Sequence, residues 1–295
     1  MKNILLLTDL SRAEGLQENA IDLCSRLRCN LLLLNVYNGV PYVPALDASS
    51  YRAKWYSDLY DEQRERFQLQ ITELKKLSDA LAGDVYRPMV NSIMTEGNIA
   101  GIVQHSMEKN SVELVIMGKS KSGAFAHLLF GDAISAVVAV SNCPILIIPP
   151  ETKPLQNTAK VVFATDFNKN DLAACSYLSL MGSMMGFTTE VVHVKKERGI
   201  NPREIERENR FVSHLQSLES HTLTYRHLLG RPVLSLLGQW SEFLGADWLA
   251  LSEHHRPFLS SLFKKNTLSG ALSAQQKPLL VFPEHFVHRE YFSPK

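Results

Sequence analysis

Two stretches of the chain, 113–150 and 247–284, run alongside each other without a gap, and this repeat restricts the fold more than any other feature. "ELVIMGKSKSGAFAHLLFGDAISAVVAVSNCPILIIPP" lies over "DWLALSEHHRPFLSSLFKKNTLSGALSAQQKPLLVFPE", with 26 positions from Gly118 to Pro144 and again from Ser252 to Pro278. Each copy opens on an apolar run and closes on another that follows a proline. A second match lies upstream, where "NILLLTDLSRAEG" (3–15) corresponds to "KVVFATDFNKNDL" (160–172) and Thr8-Asp9 to Thr165-Asp166. A unit that recurs in this way is one folded plan written twice.

Between these anchors the pattern alternates. "NLLLLNVY" (30–37) and "TEVVHVKK" (189–196) read as strands buried on both faces. Phe67, Ile71, Leu74, Leu77 and Leu81 recur at helical spacing, and the segments 98–110, 201–218 and 232–245 read as helices. "YRPMVNSIMTEG" (86–97) and "HTLTYRHLLG" (221–230) supply a third strand to each copy. Repeated strand–helix alternation with apolar strands predicts parallel sheets covered by helices, with right-handed crossovers. Ser11 with Glu14, and Asn168 with Asp171, fit capping boxes at the first helix of each copy. The connection 38–57, with two prolines and several aromatics, reads as a surface lid or an interaction loop.

The 295 residues suit two domains, and the Pro-rich, polar "PPETKPLQNT" (149–158) places the boundary so that they span 1–152 and 153–295. A net charge of +1 offers no electrostatic reason to expect a nucleic acid or membrane partner. The opening apolar run stops at Asp9 and no stretch is long enough to span a bilayer, so a cytoplasmic location is expected. Cys24, Cys29, Cys143 and Cys175 form no CxxC pair and are expected to be buried free thiols. His254, His255, His285 and His288 lack zinc-site spacing. "GKS" at 118–120 is no Walker A loop, because the glycine that motif needs falls on Glu113, inside the strand.

The order of these features resembles the universal stress protein family in its tandem two-domain form. The residues that carry the likeness are strand one ending in Thr-Asp, strand two ending in Val, strand four ending in Met-Gly, and a last strand opened by Cys-Pro or Lys-Pro. The resemblance covers nearly the whole chain. It implies two α/β domains of the adenine nucleotide alpha hydrolase-like type, each a five-stranded parallel sheet in the order 3-2-1-4-5. It also implies dimerisation through strand five, here within one chain as a pseudo-dimer, with a homodimer as the alternative. Nucleotide-binding members carry G-x2-G-x9-G-[ST] after strand four, at the carboxyl ends of the strands where open α/β sheets take ligands.

Matched onto this sequence, the candidate nucleotide site of the first copy is Asp9, Val36, Gly118, Lys119, Lys121, Gly131 and Asp132. Lys121 replaces the second glycine and Asp132 the Ser or Thr. The second copy keeps Asp166 and Val194 but has Ser252, His255, Lys265 and Asn266 in the loop. If Asp132 opens its helix, its carboxylate competes with a phosphate, at roughly 4 kcal/mol of repulsion for charges about 4 Å apart. Asp and Asn are also ordinary helix caps, which accounts for Asp132 and Asn266 without any ligand.

Asp9 and Asp166 have no evident nucleophile or metal partner, and each is expected to bond backbone amides at the sheet edge. The resemblance implies a stress-response protein, and these residues favour one that binds rather than catalyses, with no resident cofactor and an unidentified protein partner. Two alternatives stay open: a sensor or slow ATPase taking ATP or AMP in the first copy, and an adaptor working through 38–57 or the polar helix 201–218.

Overall fold

A computed structural model describes residues 1–11, 15–37, 49–118, 133–150, 152–154, 159–195, 202–230, 232–253, 277–287 and 291–292. The first half runs β1 (Asn3–Thr8), α1 (Leu16–Arg26), β2 (Asn30–Tyr37), α2 (Ser49–Asp79), β3 (Val90–Glu96), α3 (Ile99–Asn110), β4 (Val112–Gly118), α4 (Ile134–Val140) and β5 (Ile145–Ile148). The second half repeats the plan with β6 (Lys160–Ala164), α5 (Lys169–Met185), β7 (Thr188–Lys195), α6 (Pro202–Ser217), β8 (Leu223–Leu229), α7 (Val233–Phe243), β9 (Trp248–Ser252) and β10 (Leu279–Phe282).

The ten strands form one sheet in the order β3-β2-β1-β4-β5-β10-β9-β6-β7-β8. Each half is the expected 3-2-1-4-5 arrangement, and every pairing inside a half is parallel. The halves join where β5 meets β10 antiparallel, Leu146 opposite Leu280. Two apolar edges that would otherwise invite association are thereby closed on each other.

Side chains alternate along the strands, so each strand feeds two cores. Ile4 and Leu6 join α1, α2, α5 and α6 on one face, while Leu5 and Leu7 join α3, α4 and α7 on the other. Hydrogen bonds also tie the halves beyond the strand pair. Arg26 donates to the Met185 carbonyl at 3.2 Å, and the Tyr177 hydroxyl donates to that of Glu113 at 3.4 Å. Asn19, 2% exposed, donates to the carbonyl oxygens of Gly15 (2.6 Å) and Thr152 (2.7 Å), so it holds the linker on α1. After β10, Phe286, Tyr291 and Phe292 fold back onto Tyr177 of α5 in an aromatic cluster. Each such ring pair adds about 0.5–1.5 kcal/mol beyond the burial of its area.

Two expectations are corrected. Residues 49–57 do not continue the connection from 38; they are the first turns of α2, a 31-residue helix. The helix reaches about 46 Å at 1.5 Å per residue, against about 23 Å for a seven-residue strand. The first capping box is replaced by Gly15, which stands in the left-handed region (φ 81°) as the residue before α1; Glu14 lies outside the described residues. The second box forms as expected from Asn168 and Asp171. All four cysteines are free and buried, and burial raises the Cys29 thiol to about 12.

Candidate functional site

The register brings Asp9, Val36 and Gly118 to one edge of the first half. Thr8 pairs with Asn35 and Leu7 with Met117, so the next position on each strand opens at the carboxyl end. Lys119, Lys121, Gly131 and Asp132 lie outside the described residues, as do His254, His255, Lys265, Asn266 and residues 38–48.

Asp9 is used locally. Its Oδ1 accepts from the Ser11 amide (2.9 Å) and the Ser11 hydroxyl (2.5 Å), which holds the turn after β1. Leu10 takes φ 63° within that turn, and its amide donates to the Thr8 hydroxyl oxygen at 3.0 Å. The Thr8 hydroxyl in turn donates to Oε1 of Gln70, a buried residue of α2, at 2.8 Å. Asn35 Nδ2 donates to the Thr8 carbonyl at 2.9 Å, while its buried Oδ1 has no hydrogen-bond partner among the described residues. Gly118 has a packing reason of its own: a Cβ there would come within 2.7 Å of Leu16 Cδ2.

The second half builds the same edge with different contents. His193 stands at the register position of Asn35, and its Nδ1 bonds the Thr165 carbonyl at 2.8 Å. Phe167, the counterpart of Leu10 with φ 65°, packs its ring 4.2 Å from the His193 ring and 5.3 Å from Phe211. Asp166 accepts from the Asn168 amide at 3.2 Å, as Asp9 does from Ser11.

The centre of this edge is Asp171, which is 0% exposed. Its Oδ2 accepts from the Thr165 hydroxyl (2.8 Å), the Asp166 amide (3.3 Å) and the Asn168 amide (3.2 Å). Its Oδ1 accepts from the Ser252 hydroxyl at 2.6 Å. Ser252 is the residue matched to Gly118, and the partner of Leu16 across the repeat is the smaller Ala173. The serine side chain therefore has room, and it spends its hydroxyl on the buried carboxylate. A charged acceptor in low dielectric is stable only when bonded in this way. The negative charge is felt nearby: burial first, and Asp171 second, push the Cys175 thiol well above its ordinary value.

Helix α6 is tied down over the same edge. Glu204 Oε1 lies 3.4 Å from His193 Nε2, and Arg207 donates to the Asp166 carbonyl at 2.7 Å. Glu208 pairs with Lys195 at 2.5 Å and accepts from the Tyr225 hydroxyl at 2.7 Å. Burial works to raise the Glu208 carboxyl, but these two bonds outweigh it and hold the group below its ordinary range. Burial, and then the Glu208 carboxylate, push the Tyr225 hydroxyl upward. Among the described residues no three His, Cys, Asp or Glu side chains gather to hold a metal.

Sequence reading identified Asp9, Val36 and Gly118 but not Gln70, Asn35, Phe167 or His193. It took Asp171 for a helix cap alone. The pointer to its second role was Ser252: a hydroxyl in place of the strand-four glycine needs a partner inside the cleft.

The sequence profile described as the universal stress protein family matches residues 1–149. A universal stress protein from Archaeoglobus fulgidus superposes with a TM-score of 0.63 at 18% identity, covering 95% of this chain and 96% of that one. A functionally unknown protein from Pseudomonas aeruginosa gives 0.52 at 15% identity, over 96% and 92% of the two chains. The cytoplasmic domain of a prokaryotic cation chloride cotransporter gives 0.50 at 8% identity, over 95% and 94%. At such identities these likenesses speak for the fold. No curated protein matches the sequence.

Proposed function

Since the chain belongs to the universal stress protein family, we propose that it serves a cytoplasmic stress response by binding rather than by catalysis, and that its two halves divide that task unequally. The observation that carries this reading is the Asp171 network. In the second half the protein's own carboxylate draws in the donors at the strand ends, so the half is a folded support and not a ligand site. The first half keeps Asp9, Val36 and Gly118 at an edge with no comparable buried charge among the described residues. It is the half in which an adenine nucleotide, ATP or AMP, would bind, with Lys119, Lys121 and Gly131 around phosphate and Asp132 limiting affinity. No described helix is long and apolar enough to cross a membrane.

Thermal unfolding with ATP, ADP and AMP tests this for the wild type and for Asp132→Ser. A ligand at a hundredfold over its Kd stabilises by about 2.7 kcal/mol. The expected result is little shift in the wild type and a clear one in Asp132→Ser, abolished by adding a bulky residue at Val36. A large wild-type shift would favour the nucleotide sensor. ATP hydrolysis by the purified chain that survives Asp9→Ala and Asp132→Ala would speak for a contaminant, whereas hydrolysis lost with either would overturn the binding-only reading.

A further inference from the structure

Helix α6 turns two acidic residues toward the sheet and carries a row of basic residues beside them, with Glu206 exposed next to that row and Arg207 also bonding the Asp166 carbonyl at 2.7 Å. Glu204 and Glu208 turn toward the sheet and bond His193, Lys195 and Tyr225. Arg203, Arg207, Arg210 and His214 recur at i, i+4, i+7 and i+11, and all four are exposed. That spacing lays them along a single stripe. Between Glu206, Arg210, Ser213 and His214 the surface dips into an open concavity of about 430 Å³.

Helix α2 carries the opposite stripe. Asp58, Glu62, Glu65 and Leu69 follow the same spacing, with Asp61 beside them, and all are exposed. Leu69 is 58% exposed, which leaves an apolar end on the acidic row. Among the described residues each row is partly neutralised within its own helix, Arg66 pairing with Glu62 at 2.5 Å and Arg210 with Glu206 at 3.2 Å. Both are exposed i,i+4 pairs, which contribute little and exchange readily.

The two helices sit on the same face of the sheet, in one core with α1 and α5, and at opposite ends of it. A two-fold axis parallel to the helices, lying between two such faces, sets α2 of each copy against α6 of the other. We propose that the chain forms a face-to-face dimer with a second copy of itself, in which the acidic stripe of α2 docks on the arginine stripe of α6 twice over. Such a contact is isologous and closed. It uses the long helix of the first half and leaves the β5–β10 junction untouched. Charge complementarity of this kind gives steering and salt sensitivity more than tight affinity.

Sedimentation velocity of the full chain at low and high salt tests the proposal. The expected result is a dimer at low salt that dissociates as the screening length shrinks from about 10 Å at 0.1 M to about 3 Å at 1 M. Asp58→Lys with Asp61→Lys, or Arg203→Glu with Arg210→Glu, should each weaken association by about tenfold or more, equivalent to about 1.4 kcal/mol. Mixing the two variants should restore a heterodimer, because both contacts are then attractive. Glu65→Lys and His214→Glu make an independent pair should the first prove unstable. A wild type that is monomeric at low salt, a dimer indifferent to either variant, or a mixture that fails to recover would each overturn the dimer.

Discussion

The two halves share strand order and register yet solve the carboxyl edge differently. In the first, Asp9 and Gln70 bond neutral partners, Ser11 and Thr8, and Asn35 keeps a buried oxygen without a hydrogen-bond partner. In the second, Asp171 collects four donors and an aromatic plug of Phe167 and His193 lies beside it. A parallel sheet dictates where strand ends converge, and so where a ligand can enter. It does not dictate what fills that place. The same strand plan therefore carries two different sets of contacts at its carboxyl edge.

Removing the centre of each edge breaks this comparison most directly. Asp171→Ala takes the acceptor from two buried hydroxyls and from the Asp166 amide, while the Asn168 amide keeps Asp166 Oδ1, so it should destabilise by about 4 kcal/mol. Asp9→Ala removes bonds from an accessible turn and should cost about 1 kcal/mol. Urea denaturation measures both. Equal losses would mean that the two edges are built alike after all.

The strands could be read in the sequence because each rests on an apolar run or on spacing that repeats, whereas their order and the β5–β10 junction followed from the resemblance to the family. The start of α2 could not. Residues 49–57 follow two prolines and mix tyrosine, tryptophan and serine, so no apolar stripe in the sequence marks them; among the described side chains of α2 the buried stripe begins at Phe67. Asp171 was visible as a cap because its spacing from Asn168 is local. Its bond to Ser252 was not visible, since it spans 81 positions and depends on β9 lying beside β6. Gly118 was read as a phosphate glycine, but Leu16 gives it a steric reason that periodicity does not reveal.

The start of the first helix offers the next contrast. Gly15 opens α1 in the left-handed region, and an added Cβ would stand 2.4 Å from the Thr152 carbonyl oxygen. Backbone atoms cannot swing aside, so Gly15→Ala should cost about 2 kcal/mol through strain and through loss of the linker's seat against Asn19. Asn168→Ala only uncaps α5 and should cost about 1 kcal/mol. Differential scanning calorimetry would show whether the first ranks above the second. The reverse ranking would place the sensitive helix start in the second half.

The smallest effect separates the halves by pH. Helix α2 is held to the sheet edge by the Gln70 amide, which does not titrate, and α6 by the Glu208 carboxylate, which does. The folded pKa of Glu208 lies below its ordinary value of 4.5, so protons bind the unfolded state more readily. Its stabilisation is therefore full above about pH 4.5 and is lost as pH falls through the folded value. If the Lys195 and Tyr225 bonds are together worth about 1 kcal/mol, opening of α6 should rise about fivefold relative to α2 over that interval. Amide hydrogen exchange, expressed as the ratio of protection in α6 to that in α2, removes the intrinsic pH dependence of exchange. Glu208→Gln should flatten the ratio by leaving both helices with an amide tie. A ratio that still falls with acid in that variant would show that the Glu208 carboxylate is not what loosens α6.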